Sequence, residues 1–298
     1  MSKTTEINGF ILVDKKEDIT SYDVIRKIKK ILRELNIKTK IGHAGTLDPF
    51  ATGLLVIMLG KYTRLSDYVM DAFKVYSGTI DVGVKTDTLD HTGNILKTEK
   101  VNDEVILKII DESNLYTGEF MQTPPQYSAL KHNGKPLYEY ARQGEFVYKD
   151  PRKIFVKDFE VFKEDDAIKF RTTVSKGTYV RTLIEDYFEK YNSLASLRTL
   201  RRESSGAINV DDAIEIDDLN EDNFFDNIIL IDDFKNNFDY VELNDDEKSK
   251  LYDGIRIETD IADCETLLLK NNGTSFALGK AEDGLIKTIC FLGERWNT

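Results

Sequence analysis

Asp48 is the residue with the most chemical promise in this chain. It sits within residues 40–60, KIGHAGTLDPFATGLLVIMLG, with glycines at 42, 45, 53 and 60 around it and Pro49 directly behind it. Glycine permits conformations and close approaches that other residues forbid. A following proline biases Asp48 toward extended or turn geometry. The apolar run at 54–59 reads as a buried strand. Together these place a carboxylate on a tight loop at the edge of a core strand, where a ligand can approach closely. An Asp-Pro pair alone signals only a turn; the surrounding glycines and apolar run argue for more.

Other familiar chemistries find no support. The Gly-Lys-Ser/Thr ending of a phosphate-binding P-loop is missing. The three histidines, His43, His91 and His132, have no metal-ligand spacing, so no metal is expected. No serine stands in a nucleophile-elbow pattern. Cys264 and Cys290 read as reduced core residues. What remains is one specially placed carboxylate, scattered tyrosines, and arginines able to pair with it.

The elements that must position Asp48 follow from hydrophobic periodicity. Residues 9–13 suit a first strand. Ser21 is a candidate cap for a helix in which Val24, Ile25, Ile28, Ile31 and Leu32 recur at helical spacing. Residues 63–70 read as a helical turn or two and 73–82 as a strand, with Tyr76, Gly78, Ile80 and Val82 on one face. Residues 85–93 read as a polar turn segment and 101–115 as a second helix. Strands are expected at 153–162 and 168–174, followed by a turn and a helix that Thr178 can cap, with Val180, Leu183, Ile184, Tyr187, Phe188 and Tyr191 on its apolar face. Residues 123–151 interleave tyrosines with Lys131, His132, Lys135, Arg142 and Lys149, which suits either a phosphate-gripping, base-stacking surface or a plain surface loop. An acidic, Asn-rich linker is expected from about residue 210, then a small β-rich unit punctuated by glycines. The whole is α+β, built on a mixed sheet.

Length allows one large domain and a small one. No apolar run approaches the ~20 residues of a membrane helix, and the first ten residues lack the apolar core of a secretory signal; no membrane contact and a cytoplasmic location are expected. The net charge of −12 is unevenly spread: residues 211–265 hold twenty Asp and Glu against four Lys and Arg. The rest of the chain is mildly basic, so the total does not exclude a nucleic-acid partner.

Five blocks, in order over about residues 8–210, resemble the TruB family of bacterial tRNA pseudouridine synthases. They are Gly42-His43-Ala44-Gly45-Thr46-Leu47-Asp48-Pro49 with residues 51–55 behind it; Lys74-Val75-Tyr76 with Gly83 and Thr86-Asp87-Thr88-Leu89-Asp90; residues 124–131, PPQYSALK, continuing to Tyr138-Glu139-Tyr140-Ala141-Arg142; Lys176-Gly177-Thr178-Tyr179-Val180-Arg181; and Leu197, Leu200-Arg201-Arg202 and Gly206. The resemblance implies a pseudouridine-synthase-like mixed, largely antiparallel sheet flanked by helices, with a C-terminal PUA-like domain. It implies a catalytic domain at 1–230, with an RNA-gripping insertion at about 123–151, and a PUA-like domain at 231–298. The implied activity is isomerisation of uridine to pseudouridine in the T-loop of tRNA, at the position conventionally numbered 55. The implied enzyme is a monomer that needs no cofactor and no obligatory protein partner.

The roles carried over are these. Asp48 is the catalytic carboxylate, and Arg181 its cationic partner, whose planar fork suits a carboxylate. Tyr76 stacks on the flipped base and assists loss of the C5 proton. His43, Tyr179, Leu200, Lys131 and Arg142 contact substrate. The family's usual Asp-Lys-Pro-x-Gly turn departs here to Asp14-Lys15-Lys16-Glu17-Asp18, which puts the turn geometry in question, and the C-terminal unit is acidic. Two readings compete with the enzyme: a non-catalytic RNA-binding or tRNA-folding module on the same scaffold, and an RNA-guided subunit that needs partners.

Overall fold

The computed structural model describes residues 7–233 and 239–293; residues 1–6, most of the stretch read for a secretory signal, lie outside them. The described residues contain a large mixed sheet and a smaller C-terminal one. The large sheet runs Ile214–Glu215, Gly9–Lys15, Thr52–Leu59, Arg201–Ser205, Lys74–Val82, Ala167–Val174, Arg152–Glu164 and Gly118–Gln122, with shorter strands paired off this path. Most neighbours are antiparallel. The exceptions are the pairing of Ile214–Glu215 with Gly9–Lys15 and that of Arg201–Ser205 with Thr52–Leu59.

One row of this sheet brings distant blocks together. Arg202 is in register with Gly53 on one side and with Tyr76 on the other, and Tyr76 in turn faces Thr172. Gly53 adopts φ +100°, and a Cβ there would lie 2.3 Å from the Arg202 carbonyl oxygen. Only glycine fits that close crossing.

The helix Ser21–Glu34 packs Val24, Ile25, Ile28, Ile31 and Leu32 into the main core, where each fully buried aliphatic side chain contributes roughly 1.5–3 kcal/mol. Its cap is Thr20 rather than Ser21. The Thr20 hydroxyl accepts from the Asp23 amide, and the Asp23 carboxylate accepts from the Thr20 amide, a reciprocal box. Ser21 is buried and exchanges hydrogen bonds with both backbone groups of Leu47, which ties the helix to the residue before Asp48. The altered turn still closes, because Asp18 takes φ +64°, a left-handed conformation that Asp tolerates better than most residues.

A second helix, Val180–Glu189, carries Arg181 in its first turn and buries Val180, Leu183, Ile184, Tyr187 and Phe188. Its cap position is Tyr179, which makes no side-chain cap bond; the Thr178 hydroxyl donates to the Ser175 carbonyl instead. On this helix, burial and then the neighbouring Glu185 and Glu189 push the Asp186 carboxyl up to about 6. A raised folded-state value makes the ionised Asp186 a cost above pH 6, absent below the unfolded value near 3.8. Asp186→Asn is therefore expected to stabilise the protein at pH 7.5 by on the order of 1–2 kcal/mol after solvent screening, with the gain vanishing toward pH 4. Thermal melts of both proteins across that range check it.

The acidic stretch after residue 210 is not a linker between separate bodies. Ile214–Glu215 extends the large sheet, and Ile216, Leu219, Phe224 and Ile228 enter the main core. Their burial is decided by the apolar residues between the acids, not by the net charge. The C-terminal sheet runs Tyr240–Glu242, Cys264–Asn271, Thr274–Glu282, Leu285–Phe291 and Ile257–Glu258. Besides its own core, it contributes Leu268, Leu278 and Cys290 to a cluster with Phe10, Leu12, Leu54, Val56 and Met58. Asp232 anchors the junction by accepting from the Ser275 amide and hydroxyl, both at 2.7 Å. Cys290 is buried, Cys264 only partly, and both are free thiols. Among the described residues, no helix is long and apolar enough to cross a membrane.

Candidate active site

A cavity of about 860 Å³ opens where the Gly-rich loop, the strand Lys74–Val82 and the turn before Val180–Glu189 meet. Asp48, Tyr76, Tyr179, Arg181 and Leu200 all line it. Asp48 reaches it because Gly45, at φ +88°, turns the chain out of the strand Ile41–Ala44.

Arg181 organises the site. It is 3% exposed, and its planar fork is spent on several acceptors at once. Nε donates to Asp48 Oδ2 at 2.9 Å, Nη1 to the Thr88 carbonyl at 2.6 Å, and Nη2 to the Tyr127 carbonyl at 2.9 Å. Asp90 Oδ2 lies 3.6 Å from Nη1 and is buried beside it. The Asp48 side chain keeps one-third exposure, 33%, so one oxygen is held by the guanidinium while the group stays open to the cavity. Such charge-assisted bonds are short and directional. They fix the carboxylate without sealing it.

The Asp90 carboxylate is itself held by the Thr88 hydroxyl at 2.8 Å and the Thr92 amide at 3.0 Å. Leu89 adopts φ +63°, a strained conformation for a branched side chain. Bridging of Asp90 to Leu197 holds that loop against the sheet. Asp90→Asn would keep the shape and remove the charge behind Arg181. We expect kcat to fall about 10–100-fold with KM nearly unchanged, measured by steady-state kinetics on the RNA substrate that the block resemblance implies; an unchanged kcat would exclude a positioning role.

Two buried cations frame the loop. Lys15 donates to the carbonyls of Lys16, Ile19 and Pro49; burial lowers its pKa to about 8, against the pull of the Asp48 charge. Arg202 donates to the carbonyls of Leu54 and Gly45 at 2.7 and 3.1 Å. Lys74, also at the cavity, donates to the Met70 and Ala72 carbonyls, and burial followed by Arg202 lowers its pKa to about 8. Gln122 grips the Tyr179 backbone from both sides, accepting from its amide at 2.8 Å and donating to its carbonyl at 3.0 Å. The Tyr179 ring lies 4.8 Å from the Arg152 guanidinium.

Three expected substrate contacts fall outside the cavity wall. His43 is half-buried on Ile41–Ala44, and burial and then Arg202 lower its pKa, which favours the neutral ring. Lys131 lies in the small hairpin Lys131–His132/Lys135–Pro136. Arg142 follows the helix Leu137–Ala141 and sits 5.5 Å over the Tyr138 ring. The insertion carrying both is anchored where Gln126 exchanges two hydrogen bonds with the Val147 backbone, and its Tyr127 carbonyl reaches Arg181.

Lys15, Asp90, Gln122 and Arg202 escaped the sequence-based assignment. Asp90 and Arg202 stand within the recognised blocks, and that was their available signal. Gln122 lies outside every block, and nothing local marks it.

The family described as TruB family pseudouridylate synthase (N terminal domain) matches residues 29–180. The tRNA pseudouridine synthase B of Clostridium novyi (strain NT) is 41% identical over 255 residues, spanning 84% of this chain and 86% of the relative. That of Clostridium perfringens (strain 13 / Type A) is 35% identical over 286 residues, 93% of this chain and 96% of the relative. Among solved structures, an H/ACA RNP bound to a substrate RNA containing 2′-deoxyuridine aligns with TM-score 0.70 at 22% identity, over 96% of this chain and 86% of that one. A Cbf5–Nop10–Gar1 complex aligns with TM-score 0.68 at 24% identity, over 96% and 84%. These two likenesses show the fold alone, the large mixed sheet together with the small C-terminal β-sheet. With the block pattern, the family match and relatives of this identity across most of its length, the chain belongs to the TruB family of pseudouridylate synthases.

Proposed function

We propose that this chain is a tRNA pseudouridine synthase, an isomerase acting on the T-loop uridine at position 55. The observation that carries the reading is the Arg181–Asp48 bond of 2.9 Å at the wall of an 860 Å³ cavity. A metal-free isomerisation of this kind needs an ionised carboxylate, kept in place yet accessible. The Arg181 fork holds that carboxylate in one orientation while its other oxygen stays free for the cavity.

The reaction breaks the N1–C1′ bond and joins C5 to C1′. The C5 proton leaves to solvent, and N1 regains one, so the atoms balance without a cofactor. Asp48 is the catalytic carboxylate, and Arg181 holds it. Tyr76, at the neighbouring sheet position, stacks on the base and assists loss of the C5 proton. Tyr179 and Leu200 wall the pocket. His43, Lys131 and Arg142 meet the RNA outside it. Extruding the uridine costs a few kcal/mol, and the basic insertion at 123–151 offsets this through phosphate and stacking contacts. Residues 1–230 form the catalytic unit and 231–298 a PUA-like unit. The protein acts in the cytoplasm as a monomer, without obligatory protein partners.

The test is mass mapping of pseudouridine in a tRNA transcript incubated with the purified chain alone. Conversion at position 55 is the expected result. Binding without conversion would favour the tRNA-folding module, and conversion only after adding other proteins or a guide RNA would remove partner independence.

A further inference from the structure

One end of the cavity bears groups that the isomerisation does not use. Phe155 lines the wall, and its ring meets that of Phe73 edge to face, with centroids 6.1 Å apart and planes at 75°. The two residues are 40% and 41% exposed. Alternation along Arg152–Glu164 sends Ile154 and Val156 into the core and leaves Phe155 outside. Across the ladder, Met121 sits opposite Lys153 and is 66% exposed. A cluster of exposed large apolar side chains at the lip of a site marks an interaction surface.

Its border is cationic. Lys157 Nζ lies 6.0 Å from the Phe73 ring centroid. Arg152, Lys153 and Lys176 also line the cavity, where Lys176 pairs with Asp71 and Lys153 with Glu119. The cavity volume of about 860 Å³ lies toward the top of the range of about 300–1,000 Å³ that holds drug-sized ligands. One nucleoside at Asp48 leaves part of it open. An aromatic corner ringed by lysines suits an unpaired nucleobase and its phosphates.

The geometry points to a stacking subsite in which Phe73 and Phe155 receive the base of an unpaired nucleotide adjacent to the uridine at Asp48. This inference rests on the isomerase reading of the same cavity. Turning one nucleotide out of a loop strips its neighbour of stacking, and the aromatic corner restores what that neighbour loses. Lys157 and Lys176 face the phosphates that flank it.

The experiment is a double-mutant cycle between protein and RNA. T-arm hairpins, intact or carrying a single abasic nucleotide on either side of the target uridine, are titrated against the full chain and its Phe73→Ala/Phe155→Ala variant. The variant is expected to bind the intact hairpin about 5- to 100-fold more weakly. The abasic change at the contacted flank should weaken wild-type binding by a similar factor and variant binding by less than about twofold. Equal losses in both proteins at both flanks overturn the subsite. A Phe73→Leu/Phe155→Leu variant retains the apolar volume, so the same cycle with it separates lost stacking from a damaged fold. Conversion of the intact hairpin by the wild-type chain is read in parallel. Conversion without coupling defeats the subsite alone, whereas an inert wild type defeats the isomerase reading.

Discussion

Asp48→Asn is expected to bind tRNA close to wild-type affinity and to form no measurable pseudouridine, a loss of about 10⁴-fold or more on the scale of other lost nucleophiles and bases. The substitution keeps the size and planarity of the side chain and removes its charge. Arg181 Nε can still donate to an amide oxygen in the place of Oδ2, so the loop should hold its shape. What disappears is the anion in the cavity. Tritium release from C5-labelled tRNA measures turnover, and filter binding measures affinity. Turnover by this variant would remove Asp48 from the central role, and lost binding would show that the amide disturbs the RNA site.

Arg181→Lys is expected to be nearly as damaging, lowering kcat about 10²- to 10³-fold although the charge is kept. Lysine is a compact point charge on a flexible stem. It cannot present the planar fork that now joins Asp48, the Thr88 carbonyl and the Tyr127 carbonyl. Asp48 would lose its fixed orientation, and two half-buried carbonyls would be left short of donors. Arg181→Met goes further, because it leaves the buried Asp90 facing an apolar side chain. Removing one partner of a buried pair costs about 3–5 kcal/mol, so a lowered thermal midpoint should accompany the loss of activity. The pair of variants separates two effects: lysine tests geometry, and methionine adds the uncompensated charge. A lysine variant with wild-type kcat would show that charge alone suffices.

Much of the local structure was legible beforehand because periodicity reports burial directly. Val24, Ile25, Ile28, Ile31 and Leu32 repeat at helical spacing and are all buried. The alternating strand at 168–174 appears as Ala167–Val174. Errors clustered where neighbours compete for one role. Thr20 and Ser21 are both capable caps, and the reciprocal bond with Asp23 selects Thr20. In the acidic stretch after 210, counting charges concealed Ile216, Leu219 and Phe224, which bury themselves while the carboxylates remain in water.

Within the site, the glycines and proline around it singled out Asp48, the resemblance of the five blocks to a known family supplied Tyr76, Tyr179, Arg181 and Leu200, and the fold gathers all five at one cavity. The register that sets Gly53 beside Arg202 and Arg202 beside Tyr76 was not readable, nor were the carbonyls that complete the Arg181 fork. Every residue carries a carbonyl, so the side-chain sequence does not mark the few that become buried acceptors. The chain by itself determined which groups can ionise, turn or stack. Tertiary structure decided which of them touch, because contacts between residues more than a hundred positions apart arise from strand register and loop closure, to which local preferences are blind.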